Sequence, residues 1–144
     1  MKILIYGAGP LGSLFAAQLR RGGQEVSILA RGRRLDELRR HGIVARDALS
    51  GAETVTRTAV VAELAPGDRY DLVLVVMRKN QALEILPILA ANGTPNVLFL
   101  MNNAAGPGEL VAALGRERVL IGFPGTAGMR DGHAVRCFLG TPEE

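Results

Sequence analysis

A glycine-rich segment near the start of the chain, Gly7-Ala8-Gly9-Pro10-Leu11-Gly12, constrains the fold more than any other feature. It follows a short apolar run, residues 2–6, that is typical of a strand buried on both faces. It opens residues 11–21, where apolar side chains recur at helical spacing until a pair of glycines ends the pattern. A GxGxxG segment between a buried strand and an amphipathic helix predicts a dinucleotide-binding loop.

Each glycine of this segment has a distinct predicted role. Gly7 allows the tight turn, Gly9 lets the backbone approach a pyrophosphate, and Gly12 lets the helix pack closely on the sheet. The helix N-terminus adds unpaired N–H groups and a partial positive charge of roughly half a unit. A Walker-type loop is excluded because no Gly-Lys-Ser/Thr follows. A glycine-rich turn in an unrelated α/β domain is the alternative.

The remaining chain alternates between predicted strands and helices. Strands are predicted over residues 25–30, 70–77, 96–101, 119–123 and 134–139, with two short strands around a turn within residues 43–57. Helices are predicted over residues 33–40, 81–91 and 109–114. This alternation predicts an α/β fold of the Rossmann type, a doubly wound, mostly parallel sheet with helices on both faces. Residues 140–144 are predicted to be a linker or a truncation point.

The residue that ends the second predicted strand indicates which dinucleotide is bound. NAD-binding domains usually carry an acidic residue there, about 20 residues after the loop, that holds the ribose 2′-hydroxyl. This chain has Arg31 instead. A guanidinium can form paired hydrogen bonds with a 2′-phosphate, which a carboxylate would repel. Arg31 therefore predicts NADP(H), with Arg33 and Arg34 either assisting or facing water.

Polar residues after two later strands are further candidates for the site, because ligands of open α/β sheets bind at the carboxyl ends of the strands. Arg78 and Asn102 are predicted to contact the cofactor, and Lys79 and Asn102 the substrate. The alternatives are surface charges flanking a helix, and an asparagine that tolerates a turn conformation. Gln81 is more typical of a helix N-terminus at the surface.

Composition excludes several other classes of protein. No apolar run approaches the roughly 20 residues that cross a bilayer, and the start does not resemble a signal peptide. The single cysteine, Cys137, cannot form an intrachain disulfide and is expected to be a small buried residue. The two histidines have no metal-spaced partners, so no metal site is expected, and surface positions are favoured for both. Six arginines between residues 31 and 46 lack interleaved aromatics, which disfavours nucleic-acid binding.

Four segments, in this order along the chain, resemble the ketopantoate reductase family. The first two are the opening strand with its glycine-rich segment through Phe15, and Arg31 at the end of the second strand. The third is the strand through Met77, after which Arg78 occupies the family's lysine position and Gln81 matches its glutamine. The fourth is Asn102-Asn103-Ala104-Ala105, where the family typically has Asn-Gly-x-Gly. The resemblance covers essentially the whole chain.

This resemblance implies a Rossmann domain followed by an all-helical domain, and reduction of the 2-oxo acid ketopantoate by NADPH in pantothenate biosynthesis. It also implies that Asn102 contacts cofactor or substrate near the nicotinamide, and that the general-acid lysine comes from the helical domain. We therefore expect residues 1–144 to be a single NADP-binding domain without that second domain. Such a chain should bind the cofactor in the cytoplasm but not catalyse the reaction alone.

Departures from the family pattern leave other functions open. Asn103 and Ala105 replace two glycines, and Phe123-Pro124-Gly125 replaces part of a threonine-rich stretch. A reductase for another carbonyl substrate fits these changes, and a non-enzymatic dinucleotide-binding or regulatory module fits the absence of a catalytic acid. Full-length relatives usually bury the nicotinamide between two domains, so an isolated first domain is expected to expose apolar surface and form a homodimer through it.

Overall fold

The central feature of the fold is a six-stranded, all-parallel sheet. The computed structural model describes residues 1–138, which form ten strands and five helices. The strands are β1 Lys2–Tyr6, β2 Glu25–Leu29, β3 Ile43–Asp47, β4 Glu53–Thr56, β5 Ala59–Val61, β6 Leu72–Val75, β7 Asn96–Leu100, β8 Val119–Gly122, β9 Gly128–Asp131 and β10 Ala134–Cys137. The helices are α1 Pro10–Arg21, α2 Gly32–His41, α3 Lys79–Glu84, α4 Leu86–Ala91 and α5 Gly108–Leu114.

The strand order of the large sheet, β5-β2-β1-β6-β7-β8, confirms the Rossmann-type prediction. Neighbouring strands are parallel throughout, with Ile5 of β1 facing Ile28 of β2 on one side and Leu74 of β6 on the other. The chain builds outward from β1 to β5, then returns to place β6 beside β1. This reversal is the topological switch point at which doubly wound sheets bind ligands.

Alternation along β1 shows how both faces of the sheet are covered. Leu4 packs in the cluster that contains α4 and α5, whereas Ile5 packs with α1 and α2 on the opposite face. Successive strand residues point to opposite faces, so a strand covered on both sides must be apolar at nearly every position. That requirement explains the continuous apolar run that predicted this strand.

A second, four-stranded sheet with the order β4-β3-β10-β9 packs against α1. Leu14 of the helix meets Ala45, Val135 and Cys137 from this sheet. Burial of Cys137 confirms the role expected for it. The sequence predicted β3, β4 and β10 as strands, but it did not predict that they form one sheet. It did not predict the strands β5 and β9.

The prediction of one continuous helix over residues 81–91 is wrong. The structure divides it at Ile85 into α3 and α4. Pro87 lies in the first turn of α4, where its missing N–H is tolerated, but it cannot donate to a carbonyl in the preceding turn. The last residue of the strand predicted over 134–139, and the predicted linker 140–144, lie outside the described residues. Within residues 1–138 no helix is long and apolar enough to cross a membrane.

Candidate functional site

A cleft of about 770 Å³ opens at the carboxyl ends of the parallel strands, beside the switch point. Its volume falls within the range of roughly 300–1,000 Å³ that is usual for small-molecule and cofactor sites. All of the predicted site residues line it: Gly7, Ala8, Gly9, Pro10, Leu11, Gly12, Arg31, Arg78, Lys79 and Asn102. The topology thus brings together residues that are up to about 95 positions apart. Their binding of a ligand stays a prediction.

The glycine-rich loop joins β1 to α1 at the floor of this cleft. Gly7 has a φ of +124°, and a Cβ there would overlap the carbonyl oxygen of Val76 at the end of the neighbouring strand. A Cβ on Gly9 would meet no atom of residues 1–138 within 4 Å. The loop is therefore closely packed on its strand side and open on its cleft side, and α1 starts there with Pro10 at its first turn. This arrangement leaves room for an anion against the N–H groups of the helix.

Arg31 directly follows Ala30 after β2 and is the N-cap residue of α2, with its side chain exposed. It makes no side-chain cap hydrogen bond with its helix. Tyr6, which is 6% exposed, lines the same cleft. Burial raises the pKa of the Tyr6 phenol, and the positive charge of Arg31 opposes that rise. The guanidinium is thus near the strand ends, available for an anionic group.

The predicted residues after β6 and β7 lie on the other side of the cleft. Arg78 is exposed and precedes α3, whereas Lys79 is half-buried. The side-chain oxygen of Gln81 accepts a hydrogen bond from the Arg78 backbone N–H at 3.2 Å, so this glutamine caps α3. Asn102 is exposed just beyond β7. The side chains of Arg78, Lys79 and Asn102 therefore border the part of the cleft beyond β6 and β7, whereas Arg31 borders the part at the end of β2.

Arg34, which the sequence left as either an assisting or a water-facing residue, is largely buried in the structure. Its side chain is 10% exposed, and all three guanidinium nitrogens donate hydrogen bonds within the protein. Nε donates to the carbonyl of Ala8 at 2.9 Å, Nη2 to the hydroxyl of Ser13 at 2.7 Å, and Nη1 to the carbonyl of His133 at 2.9 Å. Arg34 also borders the cleft, but its guanidinium is bound within the protein and does not face water.

Glu37 is the acidic centre of an arginine cluster beside the cleft. Its carboxylate accepts from Arg130 at 2.8 Å and pairs with Arg33 at 3.3 Å and Arg34 at 3.4 Å. Burial opposes its ionisation, but the surrounding charges hold the pKa of the carboxyl below its ordinary value. Arg130 also lines the cleft. Sequence reasoning missed it because it lies on β9, a strand without an apolar pattern.

The two histidines, for which surface positions were favoured, lie next to each other at the border of a pocket. The His41 and His133 rings are half-buried and stack with centroids 4.0 Å apart, because the β9–β10 turn lies beside the end of α2. They border a second hollow together with Arg33, Asp36 and Arg40. Residues 1–138 contain no group of three or more His, Cys, Asp or Glu that could hold a metal ion.

Comparison with known proteins identifies relatives of this domain. The family model described as ketopantoate reductase PanE/ApbA matches residues 3–141. A 2-dehydropantoate 2-reductase of Pyrococcus horikoshii is 24% identical over 115 residues, which are 80% of this chain and 37% of that protein. A structure of D-mandelate dehydrogenase with NADH and anilino(oxo)acetate superposes with a TM-score of 0.83 at 25% identity, over 96% of this chain and 46% of that one.

A structure of 2-dehydropantoate 2-reductase from Geobacter metallireducens gives a TM-score of 0.82 at 22% identity, again over 96% of this chain and 46% of that one. The present chain thus spans less than half the length of these relatives. The family match extends over nearly all of it, from β1 to beyond β10. This chain therefore belongs to the ketopantoate reductase family of oxidoreductases, whose Rossmann-type dinucleotide-binding domain its fold matches.

Proposed function

We propose that this chain binds NADP(H) in the cleft at the switch point. The observation that carries the proposal is the position of Arg31, an exposed guanidinium at the end of β2 beside an open glycine-rich loop. In this site the pyrophosphate lies against Gly7-Ala8-Gly9-Pro10-Leu11-Gly12, and Arg31 holds the 2′-phosphate. The open space at Gly9 supports the fit of a bulky anion to the loop.

The nicotinamide end of the cofactor lies toward the strands after the switch point. Arg78 and Asn102 contact the cofactor there, and Lys79 and Asn102 bind the substrate, because these side chains border the cleft beyond β6 and β7. A cation next to the nicotinamide suits the carboxylate of a 2-oxo acid. The bound cofactor supplies the hydride, and this chain supplies orientation and electrostatics.

For the whole protein we propose reduction of a 2-oxo acid such as 2-dehydropantoate with NADPH, as a cytoplasmic step of pantothenate biosynthesis. Residues 1–144 form the single cofactor-binding domain of this enzyme. The general acid, a lysine, belongs to a helical domain outside these residues, so this chain alone binds cofactor without turning over substrate. Family membership supports the reaction type, and the cleft at the strand ends supports the cofactor role.

A second candidate is a dehydrogenase for a different 2-oxo acid. Two observations favour it: the substitutions Asn103, Ala105 and Phe123-Pro124-Gly125 relative to the family pattern, and the similarity to a D-mandelate dehydrogenase whose structure contains NADH and anilino(oxo)acetate. Asn103 is notable because its enclosed side-chain oxygen and nitrogen have no hydrogen-bond partner among the described residues. A bulkier loop there changes which 2-oxo acid fits beside the nicotinamide.

Calorimetric titration of the unaltered chain with NADPH and with NADH tests the proposal. We expect NADPH to bind at least about tenfold more tightly, since one charge-assisted contact to the 2′-phosphate distinguishes the two ligands. Equal affinities would overturn the NADP assignment, and binding of neither nucleotide would overturn the proposed function of this chain. Titrating the NADPH-saturated chain with 2-dehydropantoate and with aromatic 2-oxo acids separates the two substrate hypotheses.

We also propose that the chain forms a homodimer through the exposed apolar residues of its β8 edge. Leu120, Ile121 and Phe123 are 47%, 46% and 72% exposed, and β8 is the outermost strand of the sheet. Exposed large apolar residues at the unpaired edge of a sheet favour association. We expect sedimentation equilibrium to show concentration-dependent dimerisation that Phe123→Ser weakens. A monomer at high concentration, or a dimer unaffected by this substitution, would contradict the proposed interface.

A further inference from the structure

The hydrogen bonds of Arg34 converge on the glycine-rich loop. Nε donates to the Ala8 carbonyl at 2.9 Å, and Nη2 donates to the Ser13 hydroxyl at 2.7 Å. That hydroxyl in turn donates to the same Ala8 carbonyl at 3.3 Å. Ser13 is fully buried in α1. One guanidinium on α2 thus closes a triangle of hydrogen bonds with the loop and the first turns of the helix that follows it.

Anchoring the Ala8 carbonyl has a direct consequence for the next residue. A trans peptide unit is planar and directs its carbonyl oxygen and its N–H to opposite sides. Because the Ala8 carbonyl is held by Arg34 and Ser13, the N–H of Gly9 is fixed in the opposite direction. Gly9 borders the cleft and has open space where a Cβ would be. The bonds of Arg34 therefore determine how the loop presents its backbone donor.

Other residues hold the guanidinium in this orientation. Nη1 donates to the carbonyl of His133 in the β9–β10 turn at 2.9 Å and approaches Glu37 at 3.4 Å. Glu37 is itself fixed by Arg130 at 2.8 Å. Burial and the charge of Arg130 lower the pKa of Arg34, and Glu37 opposes this effect. The second sheet and Glu37 therefore hold in place an arginine that borders the cleft and contacts the loop.

We propose that Arg34 is a positioning residue for the dinucleotide pyrophosphate, which it serves through the Ala8 carbonyl without touching the ligand. The inference rests on the proposed function of the cleft. It predicts a different pattern from that of a 2′-phosphate ligand, because NADPH and NADH share the same pyrophosphate. Loss of Arg34 weakens both dinucleotides equally, and leaves untouched a ligand that has the 2′-phosphate but no pyrophosphate.

The experiment is calorimetric titration of the unaltered chain and of Arg34→Met with NADPH, NADH and adenosine 2′-monophosphate. We expect Arg34→Met to bind both dinucleotides about tenfold more weakly, with their affinity ratio unchanged and adenosine 2′-monophosphate bound as before. The matched control is Arg33→Met, one position away, whose side chain is 93% exposed and pairs only with Glu37 among the contacts described. It should leave all three affinities unchanged.

Two further variants distinguish the proposed role of Arg34 from misfolding of the variant and from a simple loss of charge. Ser13→Ala removes one corner of the triangle and should weaken both dinucleotides in the same ratio, by a smaller factor. Arg34→Lys keeps the charge but lacks the forked donors, so it should resemble Arg34→Met. Lysine binding like arginine, or a loss confined to NADPH, would overturn the inference. If the unaltered chain binds neither dinucleotide, the proposed function fails. If the unaltered chain binds both and Arg34→Met binds both with the same affinities, only this inference fails.

Discussion

Replacing Arg31 by alanine is expected to lower the affinity for NADPH by about one to two orders of magnitude while leaving NADH binding nearly unchanged. The physical reason is the loss of charge-assisted hydrogen bonds to the 2′-phosphate, which contribute roughly 1.5–3 kcal/mol. Arg31 is exposed and makes no side-chain cap hydrogen bond, so the fold should tolerate the change. Calorimetric titration of both nucleotides measures the effect, and thermal unfolding verifies that the variant is folded.

Arg33→Ala provides the matched control for this substitution. Arg33 is an exposed arginine two positions away that borders the second hollow and not the cleft. Its removal should change neither affinity, although it removes the same formal charge from the same helix. Arg31→Lys should recover part of the lost affinity, because an ammonium retains the charge but not the paired donors. An Arg31→Ala variant that still prefers NADPH would show that another group discriminates the 2′-phosphate.

Two alanine substitutions in the glycine-rich loop are expected to have different effects. Gly12→Ala should lower the stability of the fold, whereas Gly9→Ala should weaken cofactor binding. A Cβ on Gly12 would overlap the carbonyl oxygen of Gly7, a backbone atom that no side-chain rotation can move away. We expect a loss of about 3 kcal/mol in the free energy of unfolding, the upper part of the usual range for overpacking. The melting temperature should fall by about 10 °C.

Gly9→Ala adds the same methyl group at a position where it meets no atom of the described residues. Gly9 has φ −72° and ψ −172°, which an alanine readily adopts, and its Cβ position is open. Stability should change by less than about 0.5 kcal/mol. Affinity for NADPH should nevertheless fall by at least about tenfold, because the methyl group occupies space assigned to the pyrophosphate. Unchanged binding would mean that the pyrophosphate lies elsewhere.

Local patterns explain why the main sheet could be predicted. Strands such as β1 and β6 are buried on both faces and must be apolar. Their apolar runs can therefore be recognised in the sequence without knowing which strands lie beside them. The strands that were missed have weaker signals. β5 is three residues long, and β9, Gly128–Asp131, is mostly exposed and has no apolar alternation. Pairing with β2 and β10 makes each of them a strand, which only tertiary contacts reveal.

The residues of the candidate site also include some that the sequence predicts and some whose roles only the tertiary structure reveals. Its glycine-rich loop and Arg31 follow from the amino-acid order, since each is defined by its place at the end of a buried strand. The roles of Arg34 and Arg130 do not, because their partners are distant: Arg34 contacts a carbonyl 99 residues away, and Arg130 contacts Glu37 93 residues away. Two neighbouring arginines of one helix, Arg33 and Arg34, look alike in the sequence. The second sheet covers one of them and leaves the other in water, and that packing alone decides which of them can hold the loop.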